Sequence, residues 1–249
     1  MNRLMKAEFY RFRHTGHLFL YTILMAIVFA VIPPLSSLDY LDQPLSELIN
    51  SFPMICMFVL MLIPVCVTGI TGQLYNKGHL GYYEIMAGNS KWKIIMSKVL
   101  TVGVFYAALT FVATTVFYIF AGIRNGLGEL DHPMMRLALY AVVVVHVMFC
   151  SVLIMMQQRN VIASCVLVYF RFMLLDSVGI PLITLCLGKI GFKTLANQMQ
   201  YMIIMNQMNA AVVGQLDATL VLHIIIGTIV EFLFWYLLVY MGLKNKKIA

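Results

Sequence analysis

Six stretches of about 20 apolar residues, each bounded by polar or basic positions, constrain this chain more than any other feature. They run over residues 17–35, 52–74, 99–121, 135–156, 161–182 and 219–243. A helix rising about 1.5 Å per residue needs about 20 such residues to cross a hydrocarbon core of about 30 Å. Because every backbone polar group in lipid must find its partner within the chain, runs of this length fold as helices. With 62% hydrophobic and 11% charged residues over 249 positions, the chain has far more apolar side chains than a soluble core could hide. The expected class is all-α: a polytopic membrane protein with six transmembrane helices and an N-terminal interfacial helix, forming a single transmembrane domain over residues 1–249.

Charge sets the expected orientation. Arg3, Lys6, Arg11, Arg13, Lys77, Lys91, Lys93, Lys98, Arg159, Lys244, Lys246 and Lys247 fall on one side of a six-span arrangement, and only Arg124, Arg136, Lys189 and Lys193 fall on the other. Short basic loops stay cytoplasmic, so both termini of a multi-pass membrane protein are expected in the cytoplasm. The basic start of the chain precedes an apolar run, as in a signal peptide. Pro33-Pro34 stands where a small-residue cleavage site would be sought, so the first helix is expected to be retained.

The net charge of +7 is dispersed in short clusters between apolar runs, a pattern that does not suit nucleic acid. Cys56, Cys66, Cys150, Cys165 and Cys186 stand singly in apolar stretches and read as packing residues, with no zinc or disulfide spacing. His14 and His17 have helical spacing but no companion Cys or carboxylate, so no metal site is expected. The 19 methionines read mainly as lipid-facing filler, with an adaptable substrate surface as the other reading.

Residues 1–15 are too polar to span. At about 100° per residue, Met5, Phe9 and Phe12 gather on one side and Lys6, Tyr10 and Arg13 on another, which describes a helix lying in the interface with Arg11 and Arg13 facing anionic lipid. A disordered basic tail is the competing reading. The loop over residues 75–98 is the longest expected on the cytoplasmic side. Tyr82, Tyr83, Glu84, Ile85 and Met86 suit a short helix ended by Gly88, with Asn89-Ser90 placed to cap the next helix, which leads through Lys98 into the third span. Exposed aromatics and one carboxylate fit a soluble partner, and they equally fit simple interface anchoring.

In these segments the chain resembles the permease subunits of ABC-2 type ATP-binding-cassette transporters, especially the small six-span forms found with bacteriocin-immunity and peptide-export systems. The resemblance lies in Met5-Lys-Ala-Glu-Phe-Tyr-Arg-Phe-Arg13, in Gly81-Tyr-Tyr-Glu84 with Gly88-Asn-Ser90, and in Lys98-Val-Leu100. Where that family has a basic pair before the glutamate, this chain has Asn76-Lys77-Gly-His79. The resemblance implies that Tyr82 to Met86 form the coupling helix, that a separate ABC ATPase subunit binds it and holds ATP and Mg, and that a second permease copy or paralogue completes the pathway. The chain itself has no Gly-x-x-x-x-Gly-Lys-Ser/Thr phosphate loop and is expected to bind no cofactor and to be no enzyme. The implied cargo is hydrophobic or amphipathic: a peptide, an antimicrobial or a lipid-like compound.

Four polar residues in the later spans are pathway candidates: Arg171, Asp176, His223 and Glu231. Glu231 lies mid-span, and it reads either as a pathway group or as a neutral acid fastening two helices. His223 sits two turns before it, near the same face, so the two could mark one polar seam. Arg171 and Asp176 are five residues apart, which turns them about 140° from each other on an α-helix, so an intrahelical pair is disfavoured. Either the helix breaks there or each finds another partner. The resemblance places residues 176–217 at or near the outer surface, with 188–216 as an extracellular connection. Two rival functions follow from the same residues: a proton-coupled secondary carrier using Glu231, and an intramembrane enzyme, for which the scattered His146, His223, Asp176 and Glu231 offer no constellation.

Overall fold

The computed structural model describes residues 2–14, 23, 87–126, 132–157, 160–212 and 218–245. The expected first two spans, apart from residue 23, and the coupling segment Tyr82 to Met86 lie outside the described residues. Among those described, the regular structure is entirely helical, and four helices are long and apolar enough to cross a membrane: Lys91–Val112, Pro133–Gln157, Ile162–Ile190 and Ala218–Gly242.

The N-terminal segment is a helix, α1 (Asn2–His14), as its two-sided pattern predicts. After Gly88, which takes a positive φ of 78° that L side chains rarely adopt, Ser90 occupies the N-cap of α2 (Lys91–Lys98) without making a side-chain cap bond. A short π segment, Val99–Gly103, joins α2 to α3 (Val104–Asn125). At Gly103 a Cβ would sit 2.9 Å from the Phe149 ring, so the glycine lets this junction press against the next span. That span, α4 (Pro133–Gln157), is the centre of the fold. In an 18-residue apolar stretch of it 67% of the residues are buried, against 28% in such stretches of the two later spans, and Val143, Val144, Val147, Leu153 and Ile154 are fully enclosed.

Asn160 caps α5 (Val161–Tyr169), its Oδ1 accepting from the Ile162 amide at 2.9 Å. The helix then widens into a ten-residue π segment, Phe170–Gly179, before continuing as α6 (Ile180–Ile190). Its register is visible at the exit, where the Ile180 N–H reaches back to the Leu175 carbonyl. Pro181, with no N–H, leaves the α-type bond to Ser177 unmade. Gly191, at φ 97°, ends α6. Two short helices follow, α7 (Lys193–Gln200) and α8 (Ile204–Val212), before the last span within α9 (Ala218–Asn245).

One expectation is corrected here. The expected fifth span does not stop near residue 182 but runs unbroken to Ile190, because the π segment absorbs Arg171 and Asp176 without a break. Within the connection over residues 188–216, Ile204, Gln207, Met208 and Ala211 of α8 are buried against the core built on α4. An amphipathic face (Ile204, Met208 and Ala211 at helical spacing) draws α8 inward.

Candidate functional site

Four elements bring polar side chains to one buried point. His146 comes from α4, Arg171 and Asp176 from the π segment, Gln207 from α8 and Glu231 from α9; each is at most 4% exposed. Arg171 is the hub. Its Nε donates to Glu231 Oε1 and its Nη2 to Glu231 Oε2, both at 2.5 Å, the fork-on-fork geometry that guanidinium and carboxylate share. Its Nη1 donates to Asp176 Oδ1, and Nη2 also reaches the Met202 carbonyl at 3.3 Å. The other Asp176 oxygen accepts from the Ile204 amide at 2.8 Å, so the same carboxylate satisfies the start of α8.

On the far side of Glu231, Trp235 Nε1 donates to Oε1 at 3.2 Å, and His146 Nε2 lies 3.1 Å from Oε2. His146 Nδ1 lies 3.1 Å from Gln207 Oε1. Gln207 Nε2 donates to the Tyr201 carbonyl at 2.6 Å, which fixes the amide orientation and leaves its oxygen toward the ring. Both ring nitrogens of His146 therefore face oxygen atoms. Thr228, whose hydroxyl donates to the Ile224 carbonyl, stands 3.4 Å from Nδ1.

The spacing that disfavours an Arg171–Asp176 pair on an α-helix is the spacing that a π-helix favours. In the π register the N–H of one residue bonds the carbonyl five before it, so residues five apart stack one above the other. The intrahelical pair exists without a break in the helix, and each residue also has another partner, Glu231 for Arg171 and the Ile204 amide for Asp176. Asp176 lies within the apolar helix Ile162–Ile190. His223 does not join a seam with Glu231. Its ring stacks on Tyr201 at 5.1 Å, with Nδ1 buried and lacking a hydrogen-bond partner among the described residues. His146, Asp176 and Glu231 are not scattered but clustered. Gln207 is not among the sequence candidates and His146 stands there only in the enzyme constellation set aside, although an ionisable group in lipid requires a partner, and that rule points from Glu231 toward the other polar residues of the spans.

His146, Cys150 and Glu231 bring ligand atoms within 4.8 Å of one another, the one such trio among the described residues. Cys150 sits one turn after His146 in the core. The surroundings suit an ion pair better than a metal: both Glu231 oxygens already accept from the Arg171 guanidinium, whose charge opposes a cation there.

A second ion pair lies at the start of the helix that carries the third span. Lys98 Nζ donates to Glu8 Oε1 at 2.6 Å, with side-chain exposures of 3% and 12%, pinning α1 to the end of α2. Of the expected interfacial residues, Met5 is half-buried, Phe9 and Arg13 are exposed, and the side chains of Arg11 and Phe12 lie outside the described set. No family model, curated protein or solved structure matches this chain.

Proposed function

We propose that this chain is the membrane-spanning permease subunit of an ATP-driven ABC-2 type exporter in a bacterial plasma membrane, moving a hydrophobic or amphipathic molecule such as a peptide, an antimicrobial or a lipid-like compound. The observation that most supports this reading is the Glu8–Lys98 pair. It fastens the basic amphipathic helix to the helix that begins directly after the segment resembling a coupling helix. A push on residues 82–86 by an ATPase would pass through Gly88–Ser90 into α2, and α1 would move with it. Transport would use ATP and Mg held by that separate subunit, with a second permease copy or paralogue forming the other half of the pathway.

The test is purification of the tagged chain from its native membrane in mild detergent, with identification of stoichiometric companions. A subunit with a phosphate-binding loop is expected, and Glu84→Lys should release it while the spans stay inserted. Unchanged association and unchanged transport in Glu84→Lys would remove the docking role.

A second reading draws on the buried cluster: a proton-coupled carrier in which the His146–Glu231 contact accepts and releases the proton. It predicts uptake or efflux in vesicles driven by a pH gradient with no ATPase present, abolished by Glu231→Gln.

A further inference from the structure

A groove of about 660 Å³ runs between α1 and the start of the third span. Its size is that of sites taking one small amphiphile. One wall crosses the border between the two faces of α1: Met5 and Phe9 supply apolar surface, and Lys6 and Arg13 stand beside them. The other wall is largely apolar, with Leu100 and Val104 among its lining and Thr101 between them. Phe9 is 49% and Val104 43% exposed, so this apolar surface is uncovered by the rest of the described chain.

Charge selects the occupant. Glu8 is the lone acidic residue of α1, and Lys98 holds it on the buried side. Among the described residues neither Lys6 nor Arg13 has a carboxylate partner, so the α1 wall presents net positive charge directly beside hydrocarbon-compatible surface. A soluble anion would leave Phe9 and Val104 uncovered, and a neutral apolar ligand would leave the two cations unmatched. We infer that this groove is a binding site for a single anionic phospholipid, its headgroup at Lys6 and Arg13 and an acyl chain lying against Met5, Phe9 and Val104. This differs from a helix that merely floats in the headgroup layer, because the Glu8–Lys98 pair holds the two walls at a fixed separation and the lipid enters between them. The inference does not depend on what the protein transports.

The experiment is native mass spectrometry of the full chain in mild detergent, titrated separately with phosphatidylglycerol, phosphatidylcholine and glycerol phosphate. The expected result is one phosphatidylglycerol bound at least tenfold more tightly than phosphatidylcholine, with no binding of glycerol phosphate. Affinity should fall by about thirtyfold in Lys6→Gln/Arg13→Gln, the effect of two basic residues near an anionic surface. It should stay within about twofold in Arg3→Gln, an equal charge change for each residue replaced on the same helix but outside the groove. Filling the groove with Val104→Trp, or with the milder Ala108→Leu should the first not fold, should abolish the site while both cations remain. Equal affinity for the two lipids, binding of glycerol phosphate alone, or full binding in the filled variant would overturn the inference. So would protection of Lys6 and Arg13 by a co-purifying protein in lipid-depleted samples.

Discussion

Among the described residues, two buried ion-paired regions are built on opposite plans. At the end of α2 the Lys98 ammonium meets the Glu8 carboxylate and ties α1 and α2 together. In the later spans one guanidinium serves two carboxylates and, through Glu231, an imidazole, tying α4, the π segment, α8 and α9. In the first pair the carboxylate side chain is 12% exposed; in the second no side chain is more than 5% exposed. A charge near the interface can turn to water when its partner is lost, and a charge deep in the bundle cannot. The first pair is thus a latch, and the cluster is a keystone.

The strongest way to break the contrast is Arg171→Met. It leaves Asp176 and Glu231 as neighbouring carboxylates without a cation, and the expected loss is about 3–5 kcal/mol in steric-trapping or bicelle unfolding. Adding Glu231→Gln should restore part of that loss, since the uncompensated charge and not the missing attraction dominates. Glu8→Ala should cost less, about 1–3 kcal/mol, because it removes a hydrogen bond to the buried Lys98 ammonium. Lys98→Met should cost less still, since Glu8 has access to water. If Arg171→Met and Lys98→Met prove equal, the distinction between keystone and latch fails. Gln207→Leu removes the oxygen facing His146 and the donor to Tyr201, with an expected cost of about 1 kcal/mol. The smallest effects compare two helix starts: Asn160→Ala should cost about 1 kcal/mol, and Ser90→Ala, which loses no cap bond, only a few tenths.

Much of the helical framework was legible because lipid imposes a length and a composition. The spans at 135–156 and 219–243 agree with Pro133–Gln157 and Ala218–Gly242 within a few residues, and the Ser90 start falls where cap preferences put it. Arg171, Asp176 and Glu231 could be singled out as costly in hydrocarbon. Their convergence was not legible, since it joins positions 60 and 85 apart and depends on a register that the sequence does not announce. Periodicity counted at the α-helical angle even argues against the Arg171–Asp176 pair. His223 shows the converse error: sharing a face of one helix with Glu231 says nothing about what packs opposite, and a Tyr201 ring fills that place. The Glu8–Lys98 pair escaped because Glu8, amid the basic residues of α1, looks like an ordinary surface charge.

The wide turn at Phe170–Gly179 also changes how the chain tolerates insertions and deletions. Losing one residue between Arg171 and Asp176, such as Met173, would set the two charges four apart, a spacing that an ordinary α-helix brings together. The segment could narrow to the commoner helix and keep its ion pair. A deletion within Pro133–Gln157 has no such refuge: it would turn the rest of that helix by about 100° and carry enclosed side chains such as Val147 and Leu153 off the core. Chain length is thus negotiable at the most highly charged turn of the bundle and rigidly fixed in its most apolar helix.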